Sequence, residues 1–100
     1  MSAPPMPPRR AQRKVPGGKL VRIDAVCDGH YFSNIRITGD FFVHPEEALG
    51  GIERDLETAG LNGGEPDLER LVETIVEANG ARTVGFGPED VAALLRELRC

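Results

Sequence analysis

Apolar and polar residues alternate along residues 19–27, KLVRIDAVC, with Arg22 and Asp24 on one side and the apolar residues on the other. A period of two predicts a strand with one buried face. Asp28-Gly29 then gives a hairpin signal, and residues 31–38 alternate again. We therefore predict two antiparallel strands. The buried face of the first would carry Val21, Ile23, Ala25 and Cys27.

The second half of the chain changes to a helical period. Leucine, isoleucine and valine recur there at spacings of three and four in three segments. Each segment is predicted to begin with proline followed by acid, because proline fits the first helical position and acids oppose the positive end of the helix dipole. The three starts are Pro45-Glu46-Glu47, Pro66-Asp67 and Pro88-Glu89-Asp90. The first two helices are predicted to end near Gly60 and at Asn79-Gly80.

Strands therefore come first and helices second, which is typical of an α+β fold. Residues 41–43 are predicted as a short third strand, and residues 82–86 as a short extended segment. The expected fold is a small antiparallel three-stranded sheet followed by about three helices packed on one face. Gly50-Gly51 within the first helix indicates either tolerated strain or close packing of that helix against the sheet or a partner.

One hundred residues with 26 Leu, Ile, Val and Phe are enough for one small domain with a modest core. The net charge of −4 is unevenly distributed. Residues 1–23 hold six basic residues and no acid, whereas residues 24–100 hold all 16 acids and six arginines. We expect residues 1–13 to be a flexible Pro/Arg-rich tail and residues 14–100 to be the domain. The basic segment is either a solvated tail or an arm for an anionic ligand or acidic partner.

The cysteines and histidines give little support for a metal site. Cys27 lies on the apolar face of its strand, His44 precedes Pro45, and Cys100 is terminal and cannot be placed in a rigid site from sequence. Two cysteines make no disulfide framework. The sequence has neither an apolar signal core nor a run near the ~18 apolar residues of a membrane span. We expect a soluble, cytoplasmic protein without a membrane or nucleic-acid partner.

Both lysines of the chain flank Val15-Pro16-Gly17-Gly18, at Lys14 and Lys19. Two ammonium groups around a backbone with little side chain suit approach to a phosphate or carboxylate. The segment lacks the spacing of a P-loop and precedes a strand, so a plain turn is the alternative.

Phe41 and Phe42 are adjacent, so they would face opposite sides of a strand. One would enter the core, and the other would be covered by a partner, by the tail or by the chain's own helices. Asp40 before them is either a catalytic carboxylate or a residue bonded within its own turn.

Two of these segments together resemble a known family. KVPGGKLVRID (14–24) followed by IRITGDFFVHPEEALGGIERDLE (35–57) resembles the C-terminal accessory domain of lipoate–protein ligases. The resemblance covers residues 14–60 by motif and residues 61–99 by general pattern. It implies a stand-alone small subunit, non-catalytic alone, that binds a catalytic large subunit and enables ATP-dependent formation of lipoyl-AMP. ATP, lipoate and Mg would be bound in the complex, and the lipoyl group would pass to a lipoyl domain or H-protein acceptor.

The resemblance also implies roles for the two motifs. One group would reach toward the large subunit's nucleotide pocket: Lys14, Gly17, Gly18 and Lys19. The other would form the docking surface or brace that loop: Gly39, Asp40, Phe41 and Phe42. The alternatives are that both motifs only hold the fold and its interface, that the chain serves another acyl or biotin-type ligase, or that it is an iron–sulphur scaffold.

Overall fold

The computed structural model describes residues 8–17 and 19–100. Its strands are β1 (Arg9–Val15), β2 (Lys19–Asp28), β3 (Tyr31–Gly39), β4 (Phe42–His44) and β5 (Arg82–Val84). Its helices are α1 (Ala48–Thr58), α2 (Leu68–Ala78) and α3 (Pro88–Leu98). The predicted α+β class is confirmed, with a three-stranded antiparallel sheet, a further two-stranded sheet and three helices.

The larger sheet has the order β1-β2-β3, so β2 is central and pairs antiparallel with both neighbours. Ala11, Ile23 and Ile37 lie side by side across it and are buried. Helix α3 packs on β1 and β2, α1 packs against β3, and α2 packs against the other two helices. The core therefore lies between one sheet face and the helices, as the alternation of β2 predicts.

The composition of this sheet differs from the prediction. Residues 9–13 were expected in the flexible tail, yet they form most of β1 and pair with β2 from Arg9↔Ala25 onward. The predicted third strand exists as β4 but pairs with β5 instead. The sequence pattern of β1 does not predict a strand, because only Ala11 of its seven residues is buried.

Helix boundaries agree with the prediction better at the ends than at the starts. Gly60 and Gly80 follow α1 and α2 with φ of +65° and +62°, as expected of glycines that end helices. Helix α3 begins at Pro88 as predicted. The other two prolines precede their helices, because the residues after Pro45 and Pro66 form turns before the regular helix begins.

The two cysteines are joined across the fold. Cys27 at the end of β2 forms a disulfide with Cys100 after α3, with Cα atoms 5.5 Å apart. The backbone N–H of Cys100 also donates to the carbonyl of Asn62 at 2.8 Å. The structure therefore corrects two expectations, that the two cysteines form no disulfide framework and that Cys100 cannot be placed in a rigid site. The position of Cys100 depends on long-range packing that the local sequence does not contain.

Within the described ranges, every helix is too short and too polar to cross a bilayer.

Candidate functional site

The β1–β2 hairpin carries the first motif. The register pairs Lys14 with Leu20 and Val15 with Lys19. Directly opposed residues of an antiparallel pair point to the same face, and successive residues alternate. Lys14 therefore lies on the sheet face away from the helices, and Lys19 lies on the face toward them. Gly17 turns the chain with φ of +102°, and Gly18 lies outside the described residues.

The second motif meets the first at the start of β2. The backbone N–H of Asp40 donates to the carbonyl of Leu20 at 2.9 Å. Gly39 packs directly on that carbonyl, and a Cβ there would overlap the oxygen. The chain has φ of +148° at this glycine, which a side chain disfavours. Two segments twenty residues apart in sequence are thus fixed to each other by backbone contacts.

Lys19 and Phe41 extend this junction through a residue that the sequence analysis did not single out. A Cβ on Gly85 would lie 3.3 Å from Lys19 Cγ and 3.3 Å from Phe41 Cβ. Gly85 has φ of +100°, so it follows β5 in a conformation that suits glycine. The structure therefore brings Lys19, Gly39, Asp40 and Phe41 together at one end of the sheet. Lys14 lies outside this cluster, on the opposite face of the sheet.

Phe41 and Phe42 point to opposite sides, as predicted for adjacent strand residues. Phe41 is half-buried, and its ring centroid lies 4.5 Å from that of Phe86. Phe42 is 60% exposed and lies directly opposite Val84, which is 47% exposed. His44 lies on the same side of β4, with its ring stacked at 6.4 Å from Phe42. We call Phe42, Val84 and His44 the apolar ribbon surface.

A shallow groove lies beside Phe42 and His44 of this surface. It has a volume of about 180 Å³ and its lining is mostly apolar. Leu49 of α1 and the exposed Glu46 also line it. An open groove beside a projecting aromatic ring suits contact with another protein more than enclosure of a small molecule.

The described residues offer little covalent or metal chemistry. They contain no group of three or more His, Cys, Asp and Glu placed to hold a metal ion. Cys27 and Cys100 are bonded to each other, so in this state neither thiolate is free to bind iron. Asp40 is exposed at the turn between β3 and β4. The clustered residues therefore lie at the surface of one end of the sheet, with the Lys19 ammonium group at the edge of the cluster.

Known proteins resemble this chain in sequence and in fold. Lipoate-protein ligase A subunit 2 of Thermoplasma acidophilum is 30% identical over 79 residues, which are 77% of this chain and 77% of the relative. A chain from the structural analysis of an archaeal lipoylation system, a bipartite lipoate protein ligase and its E2 lipoyl domain from Thermoplasma acidophilum, matches with a TM-score of 0.66 and 26% identity. That match covers 89% of this chain and 97% of the other. No protein-family model matches the chain.

Proposed function

Because the chain belongs to the family of the lipoate–protein ligase A subunit 2 of Thermoplasma acidophilum, we propose that it is the accessory (small) subunit of a two-component lipoate–protein ligase. Its partner would be a catalytic large subunit. The complex would use ATP, with Mg, to form lipoyl-AMP in the cytoplasm. It would then transfer the lipoyl group to a lysine of a lipoyl domain or H protein. The likeness over more than three-quarters of both chains is the observation that carries this proposal.

The apolar ribbon surface is the proposed docking site for the large subunit. Phe42 and Val84 expose large apolar side chains next to each other on a chain whose other apolar residues are mostly buried. Covering them would remove apolar area from water, which favours a lasting complex. Gly39 and Asp40 would act indirectly, because their contacts with Leu20 fix where β4 begins.

The two lysines are proposed to contribute differently to binding the nucleotide. Lys14 and Lys19 lie on opposite sheet faces, so they do not enclose one small ligand between them. Lys19 lies beside Phe41, at the boundary of the proposed interface. An ammonium group there would be within reach of a nucleotide held by the large subunit and would stabilise negative charge that develops during adenylation. Lys14 would approach the same nucleotide only around the hairpin tip.

Reconstitution with the large subunit tests this function. Pyrophosphate release from ATP and lipoate is measured without an acceptor. We expect the release to require both chains. Phe42→Asp should weaken the affinity for the large subunit at least tenfold, since it places a charge in an apolar contact. Leu71→Asp is the matched control, because Leu71 is also an exposed apolar residue but lies on α2.

Lys19→Ala then separates the two roles of that lysine. A lower kcat at saturating large subunit indicates contact with the nucleotide, and a weaker affinity alone indicates a contact with the protein. Full pyrophosphate release by the large subunit without this chain would refute the accessory role. Release with biotin but not with lipoate would assign the chain to another ligase.

A further inference from the structure

The open face of the three-stranded sheet carries a concentration of positive charge. Buried residues of β2 and β3 alternate with residues that point away from the helices. The register aligns Arg10, Asp24 and Arg36 in one row across the strands. It aligns Gln12, Arg22 and Thr38 in the next. With the last pair of β1 and β2, the basic sheet face comprises Arg10, Gln12, Lys14, Leu20, Arg22, Asp24, Arg36 and Thr38.

This face opposes the charge of the remainder of the protein. It holds four basic side chains and one acid, whereas the whole chain has 12 basic and 16 acidic residues. The remainder therefore has 8 basic residues (12 less 4) and 15 acids (16 less 1). Asp28 points to the same side of the sheet, beyond these eight residues and roughly 13 Å from Asp24 along β2. A basic face on an acidic domain is an oriented charge distribution, and such a distribution steers association with an acidic surface.

Only part of this positive charge is neutralised within the sheet. Arg10 pairs with Asp24 at 2.6 Å, and Arg22 Nε donates to Gln12 Oε1 at 3.1 Å. Among residues 8–17 and 19–100, Lys14 and Arg36 make no ion pair. The nearby carboxylates of Glu53 and Glu57, in the cleft that Arg36 borders, are already accepting backbone N–H groups of β3.

The shape of the basic sheet face favours a large partner over a small ligand. Its charged residues are spread over three strands and four residues along β1, a plane of roughly 10 Å by 13 Å. A phosphate or nucleotide is held best by groups that converge on one point, and a plane of separated cations does not converge. The charges instead match carboxylates spread over the surface of another protein.

We propose that the basic sheet face docks an acidic surface of the lipoyl acceptor domain, an inference that rests on the proposed ligase function. The large subunit is the weaker candidate, because lasting interfaces have apolar centres and this chain offers its apolar ribbon surface for that purpose. Charged, hydrated faces suit substrates that bind and leave rapidly. The face also reaches the hairpin at Lys14, so an acceptor on it is next to the end of the sheet where Lys19 meets the proposed interface.

Lipoyl transfer to an unlipoylated E2 lipoyl domain tests the proposal in the reconstituted complex. The variant is Arg22→Gln/Arg36→Gln, which removes two charges without placing an acid opposite Asp24. We expect the KM for the lipoyl domain to rise about tenfold at low ionic strength and the difference to shrink at high salt. Lipoyl-AMP formation without the acceptor should stay at the wild-type rate.

Two further variants keep the test specific. Arg70→Gln/Arg96→Gln makes the same charge change on exposed residues of α2 and α3 and should leave KM unaltered. Arg22→Lys/Arg36→Lys keeps the charge and should retain most of the wild-type affinity, which also reports whether the sheet tolerates replacement there.

The outcomes separate this inference from the function on which it rests. An unchanged KM in a complex that forms lipoyl-AMP overturns the docking face alone. A loss of affinity for the large subunit in the glutamine variant also overturns it, by assigning the face to that interface. Absence of lipoyl-AMP from the wild-type complex refutes the ligase function. Direct titration of this chain with the lipoyl domain then decides the docking face, and an absence of binding would overturn it.

Discussion

The side chain of Glu57 on α1 accepts a hydrogen bond from the backbone N–H of Ile35 on β3, at 2.8 Å. Glu53, one turn earlier, accepts from the N–H of Ile37 at 2.7 Å. Among the described residues, strand β3 forms an edge of its sheet, and its outward N–H groups face no neighbouring strand. Two carboxylates of helix α1 therefore accept hydrogen bonds from edge N–H groups that would otherwise be free to pair with a further strand.

Removing these acceptors should destabilise the fold. We expect Glu57→Ala to lower the free energy of unfolding by about 1–2 kcal/mol, because a partly buried N–H loses its partner. Glu57→Gln should lose less, since its amide oxygen still accepts a hydrogen bond. Urea unfolding measures both. Glu77→Ala, an exposed change on α2, is the control. Equal losses for the alanine and glutamine variants would show that the hydrogen bond is unimportant.

Removing both carboxylates from the edge of β3 should also change how the protein associates with itself. Glu53→Ala/Glu57→Ala should expose two N–H groups of β3 to strand pairing with another molecule. The double variant should therefore form dimers or larger species as its concentration rises, as measured by sedimentation. A variant that remains monomeric at the highest concentrations, with its unfolding intact, would show that α1 shields the edge without these carboxylates.

The neighbouring glycines of α1 should respond in opposite directions to alanine. A Cβ at Gly50 has open space, so Gly50→Ala should raise the free energy of unfolding by up to about 1 kcal/mol through helix propensity. A Cβ at Gly51 would overlap Asn79 Oδ1. Asn79 donates to Asp55 and to the carbonyl of Ile75, both at 2.9 Å. Moving it should make Gly51→Ala destabilising.

Thermal unfolding of the two single variants provides the comparison, and each is the control for the other. Stabilisation by both substitutions would mean that Asn79 moves aside without losing its hydrogen bonds. The sequence left tolerated strain and close packing open for this pair. The structure shows close packing at Gly51 against Asn79 at the end of α2, where the sequence predicted the sheet or a partner, and it leaves Gly50 with space.

The parts of the fold predicted from sequence are those with a local signal. Alternation over residues 19–27 and 31–38 identifies β2 and β3, and Gly60 and Gly80 mark helix ends. Strand β1 was missed because its polar residues give no alternation, and its identity depends on pairing with β2. The pairing of β4 with β5 likewise joins segments some forty residues apart.

The same distinction applies to the candidate site. Adjacent residues predict opposite faces for Phe41 and Phe42, because a strand alternates by geometry. The bond from Asp40 to Leu20 and the place of Gly85 beside Lys19 require the tertiary fold. Lys14 and Lys19 lie on opposite sheet faces because of the register of the β1–β2 hairpin. The sequence did not predict this separation, because the pattern of β1 does not indicate a strand. For Gly85, the sequence signal was its position as a glycine within the predicted extended segment 82–86.

The start of α3 depends on a buried carboxylate. Asp90 is 3% exposed, accepts the N–H of Gly87 at 2.8 Å and lies 3.4 Å from Arg13 on β1. Asp90→Ala should lower the free energy of unfolding by about 2 kcal/mol, because it removes the helix N-terminal acceptor and leaves the N–H unpaired. Arg13→Ala should cost less than about 1 kcal/mol, since that side chain is 42% exposed. Chemical unfolding of both singles and the double variant gives their coupling, and strict additivity would exclude an Arg13–Asp90 interaction.

The disulfide should be the largest single covalent contribution to stability. It joins residues 73 positions apart, and the chain-entropy treatment assigns about 4 kcal/mol to a loop of that size. Reducing the wild-type chain should therefore lower its unfolding midpoint in urea substantially. Cys27→Ala/Cys100→Ala should behave like the reduced wild type and show no further response to reductant, which makes it the control for non-specific effects of the reagent. Equal midpoints with and without reductant would refute this contribution.

The disulfide and the partner should also substitute for each other. A reducing compartment, such as the proposed cytoplasm, would oppose this bond, so the reduced chain is the form in which the proposed large subunit would matter most. Binding to the folded chain raises its apparent stability in proportion to the logarithm of partner concentration over Kd. We expect saturating large subunit to restore much of the thermal stability lost on reduction. At the same concentration of large subunit, Phe42→Asp should reduce that restoration by about 1.4 kcal/mol or more, and Leu71→Asp should preserve it. Restoration in Phe42→Asp equal to that of the wild type would place the stabilising contact outside the apolar ribbon surface.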